Sequence, residues 1–157
     1  MPGCGNLDDE VRAVLSGRFG VPGEALLPLF FEERGEEVWA STIPSPPDLH
    51  LARPLGVRAF RRGPSGLKPT STLLVLLGQE IRSARVEIAE VSLLRHLLLG
   101  QEIPCDLSPG FVALSFRGDV LGCGEARLGR LRTLLPTGRR KELLDLLDTP
   151  AVQPRLE

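Results

Sequence analysis

The chain has 157 residues, is 42% hydrophobic, and carries a net charge of −1 at a mean hydropathy of +0.04. That length suits one domain, or two small ones sharing a core, and the composition belongs to a folded protein, not a disordered one. Apolar runs such as Leu73–Leu77 and Leu97–Leu99 are too short to span a bilayer, and the start MPGCGNLDDE lacks a charged region followed by an apolar one, so neither membrane nor signal peptide is expected and cytoplasmic residence is.

Asn6 or Asp8 caps a helix beginning near Leu7, with Asp8, Asp9 and Glu10 in the first turn where the helix dipole favours acids. Val11, Val14 and Leu15 mark its apolar face, and Gly17 is the expected stop. FGVPGEALLPL gives a turn and a short helix. LFFEERGEEVWASTI then reads as a hairpin, with strands at Leu29–Glu32 and Glu37–Ile43 around Arg34-Gly35. Prolines 44, 46 and 47 end it in an irregular connection, IPSPPD, before a strand at Gly56–Arg61 closed by Gly63-Pro64.

LKPTSTLLVLLGQEI opens with proline and threonine caps and predicts a short buried helix to about Leu77. Arg85–Ile88 alternates as a strand. From Glu90 to Leu99, Val91, Leu94, Leu97 and Leu98 share one helical face, leaving Ser92, Arg95 and His96 outside, and Gly100 ends the helix. GFVALSF alternates as a strand, Arg117-Gly118-Asp119 turns it, and VLGCGEARLG returns. After Pro136 a last helix from about Arg139 to Leu147 sets Leu143, Leu144 and Leu147 inward. Short mixed strands with interspersed helices indicate an α+β fold, not a doubly wound sheet.

Charge is segregated along the chain. Positions 51–70 carry Arg53, Arg58, Arg61, Arg62 and Lys68 with no acid, and positions 110–141 carry Arg117, Arg127, Arg130, Arg132, Arg139, Arg140 and Lys141 against Asp119 and Glu125. Each block is +5, on an otherwise acidic background. This pattern predicts an electropositive face; charge solvated around the surface is the plainer reading. There are 17 arginines to 2 lysines, and guanidinium suits bidentate phosphate contact, although the bias also fits genomic composition. With 4% aromatics and no tyrosine there is little for a stacking platform, so backbone and shape recognition of structured RNA fits better.

Other motifs yield less. Gly122-Cys123-Gly124 could open a dinucleotide fingerprint, but Arg127 stands at the third glycine and strand-like sequence continues on both sides, so these glycines read as bends in paired strands. The RGD triplet reads as a hairpin tip. Cys105 follows a proline but precedes Asp106, the wrong sign for lowering a thiol pKa. Cys4, Cys105 and Cys123 are scattered, and with His50 and His96 alone they give no zinc spacing and no triad, so no metal, cofactor or catalytic residue is expected.

Lys68-Pro69, Gly100, Gly110-Phe111-Val112, Leu121-Gly122-Cys123-Gly124, Gly129-Arg130-Leu131-Arg132, Pro136 and Arg139-Arg140 follow one another in an order and spacing that resemble the C-terminal region of the RsmF-type, Sun-family ribosomal RNA cytosine-5 methyltransferases. The likeness covers Leu67 to Arg140, about half the chain; residues 7–62 resemble that family's preceding small domain more weakly. Two positions depart from the pattern: Glu125 replaces a usual lysine after L-G-x-G, and Thr133 a usual asparagine. The resemblance implies a PUA-like mixed β-barrel with short helices at 66–157, preceded by a small α+β domain at 1–65.

The family's methyltransferase domain, with its S-adenosylmethionine site and catalytic cysteines, lies N-terminal to this region, and Met1 falls about where that domain would end. The implied function is therefore a stand-alone, non-catalytic RNA-binding protein in rRNA or tRNA modification or maturation, without cofactor and without a DNA partner. Arg58, Arg61, Arg62, Lys68, Arg117, Arg127, Arg130, Arg132, Arg139, Arg140 and Lys141 are the expected phosphate contacts. The alternative is an interaction module that docks onto a separate RNA methyltransferase or a ribosomal protein.

Overall fold

The computed structural model describes residues 6–44 and 54–149. Cys4, His50, Arg53 and most of the IPSPPD connection lie outside the described residues.

Helix α1 (Leu7–Arg12) is capped by Asn6, whose Oδ1 accepts the Asp9 N–H at 3.0 Å. The expected stop at Gly17 is not where it ends. The backbone widens into a π-helical turn over Ala13–Arg18, closed by Phe19 N–H to the Val14 carbonyl at 3.2 Å, and burial of Val11, Leu15 and Phe19 holds it there. After α2 (Gly23–Leu26) come β1 (Phe30–Arg34), β2 (Glu37–Ser41), β3 (Val57–Gly63) and β4 (Gly66–Pro69), an antiparallel meander in chain order. Leu67–Pro69, expected to lead straight into a helix, is instead the last strand, because the edge of β3 offers it a ladder with Arg61 opposite Lys68. The 65/66 division falls in that tight turn, and β4 completes the first sheet.

Thr70 caps α3 (Ser71–Leu77), its Oγ1 accepting the Leu73 N–H. A second, curled half-barrel sheet follows, made of β5 (Arg85–Ile88), β6 (Ile103–Pro104), β7 (Gly110–Phe116), β8 (Asp119–Arg127) and β9 (Arg130–Thr133) in the order β5-β7-β8-β9-β6. The β5–β7 pair is parallel and the rest antiparallel. Between β5 and β6 lies α4 (Val91–Leu98), which ends in a Schellman turn: Gly100 takes φ +90° and the Gln101 N–H reaches the His96 carbonyl. Helix α5 (Thr137–Leu147) closes the described chain, so the fold is α+β.

The two sheets share the first of two cores. Alternate side chains of β7 point to opposite sides: Phe111 and Ala113 join Phe19, Phe60 and Leu74 in a first core, while Val112 and Leu114 join Leu94, Leu97 and Leu131 in a second. Leu143, Leu144 and Leu147 of α5 pack half-buried on that second core, on the face the sequence predicts. The glycines of L-G-C-G are indeed bends in paired strands. β8 carries an extra residue between Val120 and Gly122, and a Cβ on Gly122 would lie 2.2 Å from Leu135 Cδ2 and 2.6 Å from Ser71 Oγ. Ser71 uses that close approach to accept the Cys123 N–H at 3.0 Å.

Candidate nucleic-acid interface

The outer face of the first sheet is set by a bulge. Val38 pairs with Phe60 but Trp39 pairs with Arg58, leaving Ala59 as the extra residue of β3. Arg58 and Arg61, three apart, thus share the outer face, and Arg62 turns to the other side. Register places Trp39 beside Arg58, and Arg61 between Glu37 and Lys68.

The block that is acid-free in sequence is mostly paired with acid in space. Arg58 Nη1 donates to Glu37 Oε2 at 2.7 Å, and Arg61 lies 4.0 Å from Glu36. Arg62 donates to Glu33 at 2.7 Å and to Glu10 at 2.9 Å, tying α1 to the sheet edge. This pairing raises the Arg62 pKa above the arginine range and, through its hydrogen bonds, holds the Glu10 carboxyl below the usual carboxylate range. Arg62 is therefore a structural clamp with its donors engaged. Lys68 makes no ion pair among the described residues.

Arg58, Arg61 and Lys68 line a groove of about 600 Å³ between the two sheets, bordered by Trp39, Ser71 and Pro136. Among the described residues its lining holds three cations and no carboxylate. Cys123 borders it, and burial pushes this thiol up to about 12 even though the Lys68 charge pulls it down, which favours the protonated form at neutral pH.

The second basic block is dispersed over three places. Arg117 and Gly118, with φ +52° and +86°, form a two-residue turn between β7 and β8. Arg117 stacks its guanidinium 4.9 Å from the Phe116 ring centroid. The tip is fastened: Arg85 and Gln79 donate to the Gly118 carbonyl at 2.7 and 2.8 Å, and its N–H reaches Glu87, whose carboxyl also accepts from Ser115 Oγ. The RGD triplet is thus a clamped turn, as a hairpin tip.

The β8–β9 turn repeats this geometry at Leu128 (φ +53°) and Gly129 (φ +76°), with Leu128 85% exposed. Arg127 and Arg130 are direct cross-strand partners at its mouth, and Arg132 stands opposite Glu125. With Glu102 and Leu128 they surround a concavity of about 220 Å³. Glu125 accepts from both Nε and Nη2 of Arg132, at 3.0 and 2.6 Å, and so neutralises an arginine of the same block. Arg130 lies 3.7 Å from Glu102, and Arg127 makes no ion pair among the described residues. Thr133 accepts the Leu135 N–H on its Oγ1 at 3.1 Å, just before Pro136.

Arg139, Arg140 and Lys141 ride on the first turns of α5. Arg139 pairs weakly with Glu142 at 3.7 Å, Arg140 keeps a buried Nε without a partner, and Lys141 is exposed. Two functional candidates escape sequence reasoning. Trp39 carries a signal, since Val38 and Ala40 alternate inward and place it outward on the strand. Arg18 carries none: it donates to Phe111 O, Ser108 Oγ and Ser108 O at 2.8–3.0 Å, and its guanidinium covers Gly110, the first glycine of the G-F-V motif.

Among the described residues no group of three His, Cys, Asp or Glu side chains is arranged to hold a metal, and no helix is long and apolar enough to cross a membrane. No protein-family model matches the chain, and neither does any curated protein.

Proposed function

We propose that this chain is a non-catalytic RNA-binding protein of PUA-like architecture that grips structured rRNA or tRNA by its phosphates, during modification or maturation of that RNA. The observation that carries the reading is the mouth of the β8–β9 hairpin. Arg127 and Arg130 stand directly opposite one another there, and Glu102, 3.7 Å from Arg130, offsets only one of the two charges, so a phosphate between them adds a counter-charge to Arg127 that the hairpin itself does not supply. The curled second sheet, and the placing of the family-like glycines at its turns and close approaches, support the PUA-like assignment.

A gel shift with a structured RNA tests it. Binding should fall steeply between low and moderate salt, and Arg127→Ala with Arg130→Ala should weaken it about tenfold or more while flattening the salt slope. Salt-insensitive binding, or none at low salt, removes the reading. Glu125→Gln, which frees Arg132, should tighten binding severalfold.

A second reading, a module docking onto a separate RNA methyltransferase or ribosomal protein, is favoured by an apolar concavity of about 660 Å³ whose lining includes Leu29, Ile43, Leu55 and Leu76. It expects a catalytic partner to co-purify, and the arginine substitutions to spare that association.

A further inference from the structure

We infer that the groove between the two sheets binds a single nucleoside 5′-phosphate, its base against Trp39 and its phosphate between Arg61 and Lys68. Presented as an unpaired residue of RNA, this ligand deepens the RNA-binding reading and rests on it; presented as free nucleotide, it does not.

Size and charge point the same way. The groove, at about 600 Å³, lies within the range of about 300–1,000 Å³ usual for small-ligand sites. Arg61 and Lys68 are direct cross-strand partners, like charges facing each other in a lining without a carboxylate; Glu36, 4.0 Å from Arg61, lies outside that lining. Glu37 sits on the far side of Arg61 and is already occupied: its two oxygens accept from Arg58 Nη1 at 2.7 Å and Trp39 Nε1 at 3.3 Å. That second bond fixes the indole in place at the groove's border. Ser71 Oγ accepts the Cys123 N–H, which leaves its own proton for a phosphate oxygen. An aromatic plane beside paired cations is the combination that reads an unstacked nucleotide, whereas duplex RNA offers no free base face. The hairpin mouth described above has three arginines, Glu102, Glu125 and Leu128 in its lining and no aromatic ring, so it offers a base nothing to stack on.

Trp39 is the chain's single tryptophan and there is no tyrosine, so intrinsic fluorescence reports on the surroundings of this one ring at the groove's border. The full chain is titrated with adenosine 5′-monophosphate, adenosine, an adenine-rich single-stranded RNA oligonucleotide and a blunt RNA duplex. Quenching by the monophosphate and the single strand is expected, with adenosine and the duplex at least tenfold weaker. Lys68→Gln and Arg61→Gln should each weaken the monophosphate about tenfold by calorimetry. Unchanged melting of both variants assigns that loss to the groove and not to misfolding. Trp39→Ala, followed by calorimetry, should also cost about tenfold.

Quenching by the mononucleotide alone assigns the groove to free nucleotides. A silent tryptophan with every titrant, or adenosine binding as well as its phosphate does, overturns the inference. The structured-RNA gel shift is scored separately: retention with a silent Trp39 leaves the hairpin reading standing, and quenching without retention leaves only the groove.

Discussion

The two sheets differ in how much of themselves they bury. β7 hides four consecutive residues, Val112 to Ser115, because one side faces α3 and the first sheet and the other faces α4 and α5. The first sheet has a core on one side only; its other side carries Trp39, Arg58, Arg61 and Lys68, half-buried or exposed. In the second sheet Arg117, Arg127 and Arg130 sit at turns and strand ends, and the charges within strands are partnered, Arg132 by Glu125 and Glu87 by Ser115 and Gly118, while in the first sheet cations spread over an open face. A wall buried on both sides carries stability, and a face buried on one is free to carry binding.

The strongest test of this contrast is to remove part of the wall. Leu114→Ala, at a 1%-exposed position, should cost about 2–5 kcal/mol in urea unfolding, in one transition, because β7 belongs to both cores. Two separate transitions would break the contrast. Gly122→Ala should cost about 1–3 kcal/mol from the clash with Leu135 and Ser71. Adding Leu135→Ala should recover part of that clash, with a coupling of about 0.5–3 kcal/mol.

A smaller effect is set by pH. The Ser115 hydroxyl first, then the backbone N–H groups of Gly118 and Arg117, hold the Glu87 carboxyl below its ordinary value of 4.5. A carboxyl depressed in the folded state stabilises above its unfolded pKa, and loses that contribution as pH falls through the folded value. Melting temperature should therefore decline below about pH 4.5, and Glu87→Gln should flatten that decline. Least of all, Arg61→Gln on the open face should move stability by no more than about 0.5 kcal/mol, since its contact to Glu36 is 4.0 Å and exposed.

What local pattern encodes, the sequence displays. The β1–β2 and β7–β8 hairpins are legible because alternation and a two-residue turn suffice to specify them, and α4 because Leu94, Leu97 and Leu98 recur at helical spacing. What depends on a distant partner is not legible. β4 is four residues of strand before a threonine cap and exists because β3 presents an open ladder; β6 is two residues held by β9. The same holds for charge. The acid-free run around Arg58–Arg62 meets Glu37, Glu33 and Glu10 only once β2, β1 and α1 are folded against it. Of the candidate site, the arginines were visible in the sequence, but their grouping into one groove and one hairpin mouth was not.

The first core contains Ala113, Val120 and Cys123 from β7 and β8 beside the residues of the meander. In chain order, therefore, β1–β4 are complete about fifty residues before the β7–β8 hairpin that joins the N-terminal helices in closing their core. A core that waits on so distant a partner is a long-range dependence of the kind that slows folding.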